Sequence, residues 1–165
     1  MGKPLVTDEQ AERLRTLLED LRFHPERIAA LTTPEELHAI ACVWNWDDST
    51  TVRIFEQIIS HPQCDLGTAS LIFDLGEFLD ILTEVSQADS QEAYLNEYVE
   101  EKEYYSLALA ILARANGAGF LSQKIRIPGL PTDSKPQIDL AYAIPEAFFQ
   151  ATPGEEYEYP RNVWM

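Results

Sequence analysis

The chain has 165 residues, 45% of them hydrophobic and 10% aromatic, which is the composition of a globular domain and excludes a disordered chain. Its 28 acidic and 12 basic residues give a formal net charge of −16, which disfavours direct binding to nucleic acid or to an anionic membrane because their phosphates would be repelled. No apolar run approaches the roughly 18 residues that span a bilayer, and the first residues lack the pattern of a signal peptide. We therefore expect a cytoplasmic protein in which both cysteines, Cys42 and Cys64, are reduced.

The first 60 residues predict three helices, each with a start signal followed by apolar residues at helical spacing. Thr7 opens a Thr-x-x-Gln capping box before a helix over about 8–22. Thr33, followed by Pro and two Glu, predicts the start of the second helix. Asp48 is the predicted N-cap of a third helix over about 49–60.

Two longer helices are predicted next. Asp65 should cap a fourth helix over 66–82, which is apolar on most sides and is therefore expected to be the central buried helix. Gly67 and Gly76 each lower its helix propensity by roughly 1 kcal/mol relative to Ala, a cost that the close approach of another backbone would explain. A fifth helix over about 91–116 has an acidic, tyrosine-rich first half and an apolar second half.

The character of the chain changes after the fifth helix, where prolines become frequent. We predict a single domain over 1–165, with a helical core at 1–116 and an irregular C-terminal extension at 117–165 that packs on this core. The fold class is all-α: a compact multi-helix bundle, either HEAT-like or irregular, with a Pro-rich tail. Closely spaced, capped helices resemble those of helical-repeat folds, but no long internal repeat is found.

The secondary structure of the tail is left open between two alternatives. Apolar residues alternate at 125–127 and again at 138–144, which is the pattern of a small β-hairpin. Residues 138–150 could equally form a short helix interrupted by a proline.

Candidates for catalysis are weak. His61, Cys64 and Asp65 are metal-ligand types within five residues, but no second ligand pair with zinc-like spacing accompanies them. Cys64 with His61 could be drawn as a catalytic dyad, although both would share one tight turn. An enzyme that uses carboxylates such as Asp74 and Glu77 with a divalent metal is a further alternative. We predict no catalytic residue, no metal site and no cofactor.

The acidic residues offer a better candidate site. Residues 54–101 contain eleven Asp and Glu and no Lys or Arg, so their repulsion is not relieved by neighbours in sequence. Such a surface attracts cationic groups, while the alternative is that the charge serves solubility alone. Tyrosines are interleaved with the carboxylates, as in many interfaces, and we expect two of the four to line the core instead. The predicted partner-binding residues are Asp74, Glu77, Asp80, Glu84, Glu97, Glu100, Glu101 and Glu103.

Two motifs identify a family. The segments Trp44-Asn45-Trp46-Asp47-Asp48 and His61-Pro62-Gln63-Cys64-Asp65-Leu66-Gly67-Thr68-Ala69 resemble the signature of a bacterial family of domains of unknown function, number 4274. The resemblance covers about residues 35–82 and leaves the fifth helix and the tail outside; Ser49 stands where the family pattern has Gly. It implies no catalytic residues, and such small bacterial domains are associated with toxin–immunity loci. We interpret the motif residues as structural. Asp48 and Asp65 are the predicted helix caps, Trp44 and Trp46 are predicted to pack, and Gly67 permits a close contact.

Three classes of function follow from these observations. The first is an acidic protein-binding module, an immunity-type protein that neutralises a basic, nuclease-like toxin by occluding its phosphate-binding site. The second is a helical adaptor or structural protein with no toxin partner. The third is the metal-dependent hydrolase. We favour the first, with a basic protein as partner, no direct contact with nucleic acid or membrane, and no prediction of oligomeric state.

Overall fold

Helices make up most of the described chain, as the sequence predicts. The computed structural model describes residues 2–131 and 143–164. Two 3₁₀ helices lie at Pro25–Ala30 and Glu146–Phe149, and strand β1 (Lys3–Pro4) pairs in parallel with β2 (Tyr157–Glu158). The α-helices are α1 (Asp8–Leu21), α2 (Pro34–Val43), α3 (Thr51–Ser60), α4 (Leu66–Leu75), α5 (Phe78–Gln87), α6 (Gln91–Glu97), α7 (Val99–Asn116) and α8 (Arg161–Trp164).

Local hydrogen bonds start three of these helices where the sequence predicts. The Thr7 hydroxyl accepts from the backbone N–H of Gln10, whose side chain accepts in return from the N–H of Thr7, completing the capping box of α1. Thr33 caps α2 through the N–H of Glu36 at 3.2 Å. Asp65 caps α4, because its Oδ1 accepts from the N–H of Gly67 at 2.8 Å.

The predicted cap of α3 is wrong. The helix begins at Thr51, and the N-cap position is held by Thr50, which makes no side-chain cap bond. Asp48 lies two residues earlier, where its Oδ1 accepts from the N–H of Thr50 at 2.9 Å and its Oδ2 accepts from Arg22 Nε at 2.5 Å. The residue therefore closes an Asx turn before the helix and ties that turn to the end of α1.

The predicted fourth helix over 66–82 is two helices. Gly76 ends α4, and Glu77 has a positive φ of 52°, which turns the chain before α5 begins. The break brings Phe78 into the core, with its ring edge-on to Phe73 at 5.8 Å. A Cβ on Gly76 would lie 2.8 Å from Cδ1 of Phe78, so this glycine makes room for a ring and not, as expected, for another backbone. The expectation holds for Gly67, considered below.

The predicted fifth helix is also divided. Tyr98 has φ −107° and ψ 72°, outside the helical region, and separates α6 from α7. None of the residues of α6 is buried. If α6 and α7 formed one straight helix, α6 would extend away from the core. The break instead lets α6 pack against both α5 and α7.

The C-terminal extension contacts the core through buried aromatic rings and through a few backbone bonds. Phe148 is fully buried, with its ring 5.1 Å from that of Phe73 on α4. Ile125 forms an isolated parallel bridge with Glu155, so its described partner is not the antiparallel strand of a hairpin. The residues 138–142 that the predicted hairpin needs lie outside the described residues, and so do the first five residues of the alternative helix over 138–150. In the described remainder of that segment, a 3₁₀ helix spans Glu146–Phe149.

Candidate functional site

The tryptophan-rich motif fixes a turn between α2 and α3 against the body of the protein. Trp44 is buried and its Nε1 donates to the hydroxyl of Thr51 at 3.2 Å. Trp46 places its ring 4.4 Å from Phe55 of α3 and 6.3 Å from Tyr104 of α7, measured between centroids. Both rings pack as predicted, and the turn they anchor leaves Asp47 exposed beside α7.

The second motif contains a buried carboxylate, Asp65, and a closely packed glycine, Gly67. Asp65 is fully buried, and besides capping α4 its carboxylate accepts from the hydroxyl of Ser122 at 2.6 Å and from the N–H of Lys124 at 2.7 Å. Gly67 lies directly against the backbone of the same segment. A Cβ there would be 3.1 Å from the carbonyl carbon of Ile125 and closer still to its oxygen. The motif therefore joins the start of α4 to the C-terminal extension.

His61 and Cys64 do not form a reactive pair in this turn. His61 is buried, and its Nδ1 accepts from the N–H of Gln63 at 3.0 Å. Cys64 is buried as well, and burial raises the pKa of its thiol to about 12, so the thiolate needed for nucleophilic attack is scarce at neutral pH. Within residues 2–131 and 143–164, no three His, Cys, Asp or Glu side chains come together in a group that could hold a metal ion.

The break in the predicted fourth helix divides the acidic residues that were predicted to form one strip along it. Glu77, Asp80 and Glu84 all belong to the α5 side of the break, where their spacing of three and four residues puts them on one exposed face. Asp74 ends up on α4, and Glu97 on α6. Both are exposed, but no described contact joins either to the other carboxylates.

A tyrosine hydroxyl joins the acids of α5 to those of α7. The hydroxyl of Tyr94, on α6, lies 2.9 Å from Oε2 of Glu84 and 2.8 Å from Oε2 of Glu101. One phenolic proton is thus shared by two carboxylates that are 17 positions apart in sequence. These hydrogen bonds, led by that to Glu101, raise the pKa of the phenol above its usual value. The two acidic strips therefore meet on one surface.

A second group of acids acts electrostatically on Tyr104, one turn further along α7. Burial raises the pKa of this phenol most, and the nearby charges of Glu100, Glu103 and Asp47 raise it further. Asp47 was not among the predicted site residues, although its place in an exposed turn after Trp46 could have suggested it. We call Asp47, Glu84, Glu100, Glu101 and Glu103 together the carboxylate surface; it wraps around the first turns of α7.

In residues 2–131 and 143–164, the carboxylate surface forms no ion pair with a basic side chain. Within the part of the chain that the structure describes, the ion pairs involve acids elsewhere, such as Glu155 with Lys3 and Asp20 with Arg27. None of the carboxylate-surface side chains lies within 4.0 Å of a Lys, Arg or His nitrogen there. Exposed apolar groups adjoin it, since Tyr98 is 46% and Val99 is 64% exposed.

A groove of about 590 Å³ borders the carboxylate surface on the side of α7 that faces α3. Two basic side chains, Arg53 and Lys102, line it together with Glu56 and Glu103. The acidic character of the surface therefore gives way to mixed charge at this groove. Its remaining lining is Ser49, Thr50, Val52, Val99 and Ser106.

Comparison with known proteins gives one match. The model of a family described as a domain of unknown function, DUF4274, matches residues 32–114. Neither the curated proteins nor the solved structures include one that matches the chain. The match runs from the start of α2 nearly to the end of α7, so the expectation that the acidic fifth helix lies outside the family region is wrong. In the described residues, none of the helices has the length and apolar character needed to cross a membrane.

Proposed function

The chain belongs to the DUF4274 family, and on the basis of its surface we propose that it is an acidic protein-binding module. The partner is a basic, nuclease-like toxin. The chain acts as an immunity-type protein that occludes the phosphate-binding site of this toxin. The observation that carries the proposal is the meeting of Glu84 and Glu101 at the hydroxyl of Tyr94.

Electrostatics supports a partner of this charge. Carboxylates that are held together without a cation repel one another, and a Lys or Arg from a partner relieves that repulsion. The net charge of −16 adds a long-range field that steers a cationic protein toward the surface. The same field disfavours nucleic acid, so a protein that binds phosphate is a better-matched partner than the phosphate itself.

The composition of the surface also suits a protein interface. Tyr94 and Tyr98 pack against each other with centroids 4.7 Å apart, and the second ring is largely exposed among the acids. Tyrosine is enriched at the centres of interfaces because it combines a large rigid ring with a hydroxyl. Tyr104, by contrast, is partly buried against the core, as expected for two of the four tyrosines.

The test is a charge reversal with a matched control. The tagged protein is purified from its native cell at low salt, and the basic protein that accompanies it is identified and produced separately. The variant Glu84→Lys/Glu101→Lys should bind this protein at least about tenfold more slowly in low salt, with the difference shrinking as salt is added. The control Glu12→Lys/Glu19→Lys changes the net charge equally at exposed positions of α1.

Two results decide the outcome. Equal association rates for the two variants would show that overall charge, and not this surface, governs binding. Co-expression adds a functional measurement: if the partner is a toxin, the wild-type chain should restore growth and the α5–α7 variant should do so less well.

A further inference from the structure

The last residue of α7 belongs to a dipeptide with a chemistry of its own. Asn116 ends the helix and Gly117 follows it, and this is the one Asn-Gly pair in the sequence. Asparagine is a chemically labile residue. It is most labile before glycine, because glycine has no side chain to hinder the approach of its backbone nitrogen. Both residues are exposed, so water reaches them.

The side chain of Asn116 joins two parts of the fold. Its Nδ2 donates to the carbonyl oxygen of Leu112, one turn back in α7, and to that of Ala143 in the C-terminal extension, each at 2.8 Å. Carbonyl oxygens only accept, so the group that faces them is the donating NH2 of the amide. An oxygen in place of this NH2 would leave both carbonyls without their donor and would repel them.

The folded end of the helix restrains the reaction of this pair without preventing it. Cyclisation requires the backbone nitrogen of Gly117 to reach Cγ of Asn116. In the folded chain the N–H of Gly117 donates to the carbonyl of Arg114 at 3.1 Å, while Nδ2 is held by its two acceptors. These bonds lie at the end of a helix, which is where helices fray. The reaction therefore proceeds from the opened turn.

From these features we infer that Asn116–Gly117 is a site of spontaneous modification, and that its conversion to aspartate or isoaspartate releases the C-terminal extension from α7 at Ala143. The Gly117 nitrogen forms a bond to Cγ of Asn116 while the bond between Cγ and Nδ2 breaks. The proton of the Gly117 N–H passes through solvent to the leaving nitrogen, which departs as ammonia. Water then opens the cyclic imide at either carbonyl, and the two openings give aspartate and isoaspartate.

Both products disturb the same junction. Aspartate is ionised at neutral pH, so an anion replaces the donor that faced Leu112 and Ala143, and it lies at the negative end of the helix dipole. Isoaspartate also lengthens the main chain by a methylene between α7 and residues 122–125. That segment is held in place by the carboxylate of Asp65 and by its close contact with Gly67, so the added length strains the connection.

The first experiment follows the chemistry. The full-length protein is incubated in mildly alkaline buffer, either folded or in urea, and peptide mass spectrometry measures conversion at each asparagine. The reference is Asn162, which precedes the branched side chain of Val163. We expect Asn116 to convert at least about tenfold faster than Asn162 in urea, and to be slowed by folding but to stay the faster of the two. In Asn116→Gln, whose longer side chain cyclises poorly, the product at this position should disappear.

The second experiment measures the release of the extension. Asn116→Asp reproduces one product, and amide hydrogen exchange at residues 143–149 should become at least about threefold faster, which corresponds to the loss of one hydrogen bond. The matched control is Gln87→Glu, which makes the same change from amide to carboxylate at the exposed last residue of α5. This control should leave exchange at 143–149 as it is in the wild type.

Two results overturn the inference. If Asn116 converts no faster than Asn162 in the folded protein, the pair is not a modification site. If exchange at 143–149 is as slow in Asn116→Asp as in Gln87→Glu, the amide does not hold the extension on α7. Both results leave the proposed function standing, because the carboxylate surface contains neither asparagine.

Discussion

Replacing Asp65 by Ala should destabilise the protein and release the C-terminal extension. The carboxylate is fully buried and serves two parts of the chain that are far apart in sequence. It caps α4 through the N–H of Gly67, and it accepts from the hydroxyl of Ser122 and from the N–H of Lys124. Ala can replace none of these acceptors.

The magnitude follows from those bonds. Loss of the cap costs about 1 kcal/mol, and leaving the Lys124 N–H without its charged acceptor costs about 1–3 kcal/mol. The Ser122 hydroxyl can turn toward another acceptor and adds little. The free energy of unfolding should therefore fall by about 2–4 kcal/mol, a large part of the roughly 5–15 kcal/mol that holds a domain of this size together.

Urea unfolding at pH 7 measures the loss, and amide hydrogen exchange locates it. The matched control is Ser90→Ala, which removes the cap of exposed helix α6, a bond from the N–H of Ala93 at 3.2 Å, and no long-range contact. We expect the control to lose about 1 kcal/mol or less, with unchanged exchange at residues 122–127. If Asp65→Ala loses no more than the control, or if exchange at 122–127 does not accelerate, the reasoning about Asp65 is refuted.

Three further predictions concern buried or shared groups. Burial lowers the pKa of His38 to about 4 from an unfolded value near 6.5, so the stability that the neutral ring contributes is lost as the pH falls between these values. Between pH 7 and pH 4, the free energy of unfolding should fall by about 3 kcal/mol more for the wild type than for His38→Gln. Equal losses for the two proteins in urea unfolding would contradict this. Gly67→Ala should lower the free energy of unfolding by about 1–3 kcal/mol, because a backbone carbonyl occupies the space of the new methyl group. Gly119→Asn should change this free energy little in the same assay, since Gly119 has a φ of 73° and open space around it. In ultraviolet titration, the Tyr94 phenol can be identified by its difference from Tyr94→Phe, and it should ionise above its usual pKa. Glu101→Gln should lower that pKa, because it removes the carboxylate that accepts from the phenol. An unchanged pKa in this variant would mean that the carboxylate is not hydrogen-bonded to the Tyr94 hydroxyl.

The helix starts were predictable because they depend on residues close together in sequence. Thr7, Thr33 and Asp65 each accept a hydrogen bond from a backbone N–H two or three residues further on, so these bonds depend only on residues near the helix start. Asp48 shows the limit of that reasoning. Its carboxylate closes a turn of the same local kind, but the helix begins at Thr51, two residues later than a cap at Asp48 would place it.

The two helix breaks could not be predicted from periodicity. Neither predicted helix has a proline at its break, and only the packing of Phe78 into the core shows why the chain turns at Glu77. Likewise the break at Tyr98 makes sense once α6 is seen to lie against α5 and α7. Tertiary contacts outweigh local propensity at such positions because burial of a large ring is worth more than one helical turn.

The sequence by itself determined the class of fold, the family motifs and the excess of acid, since these depend on composition and short-range spacing. Tertiary structure alone decided which acids meet. Glu84 and Glu101 come from different helices and share the proton of Tyr94 only because the chain folds back at Tyr98. Asp47 joins Glu100 and Glu103 because the Trp46 ring anchors its turn against α7. Repulsion between like charges favours separating such groups, so it is the packing of the neighbouring aromatic rings that holds them on one surface.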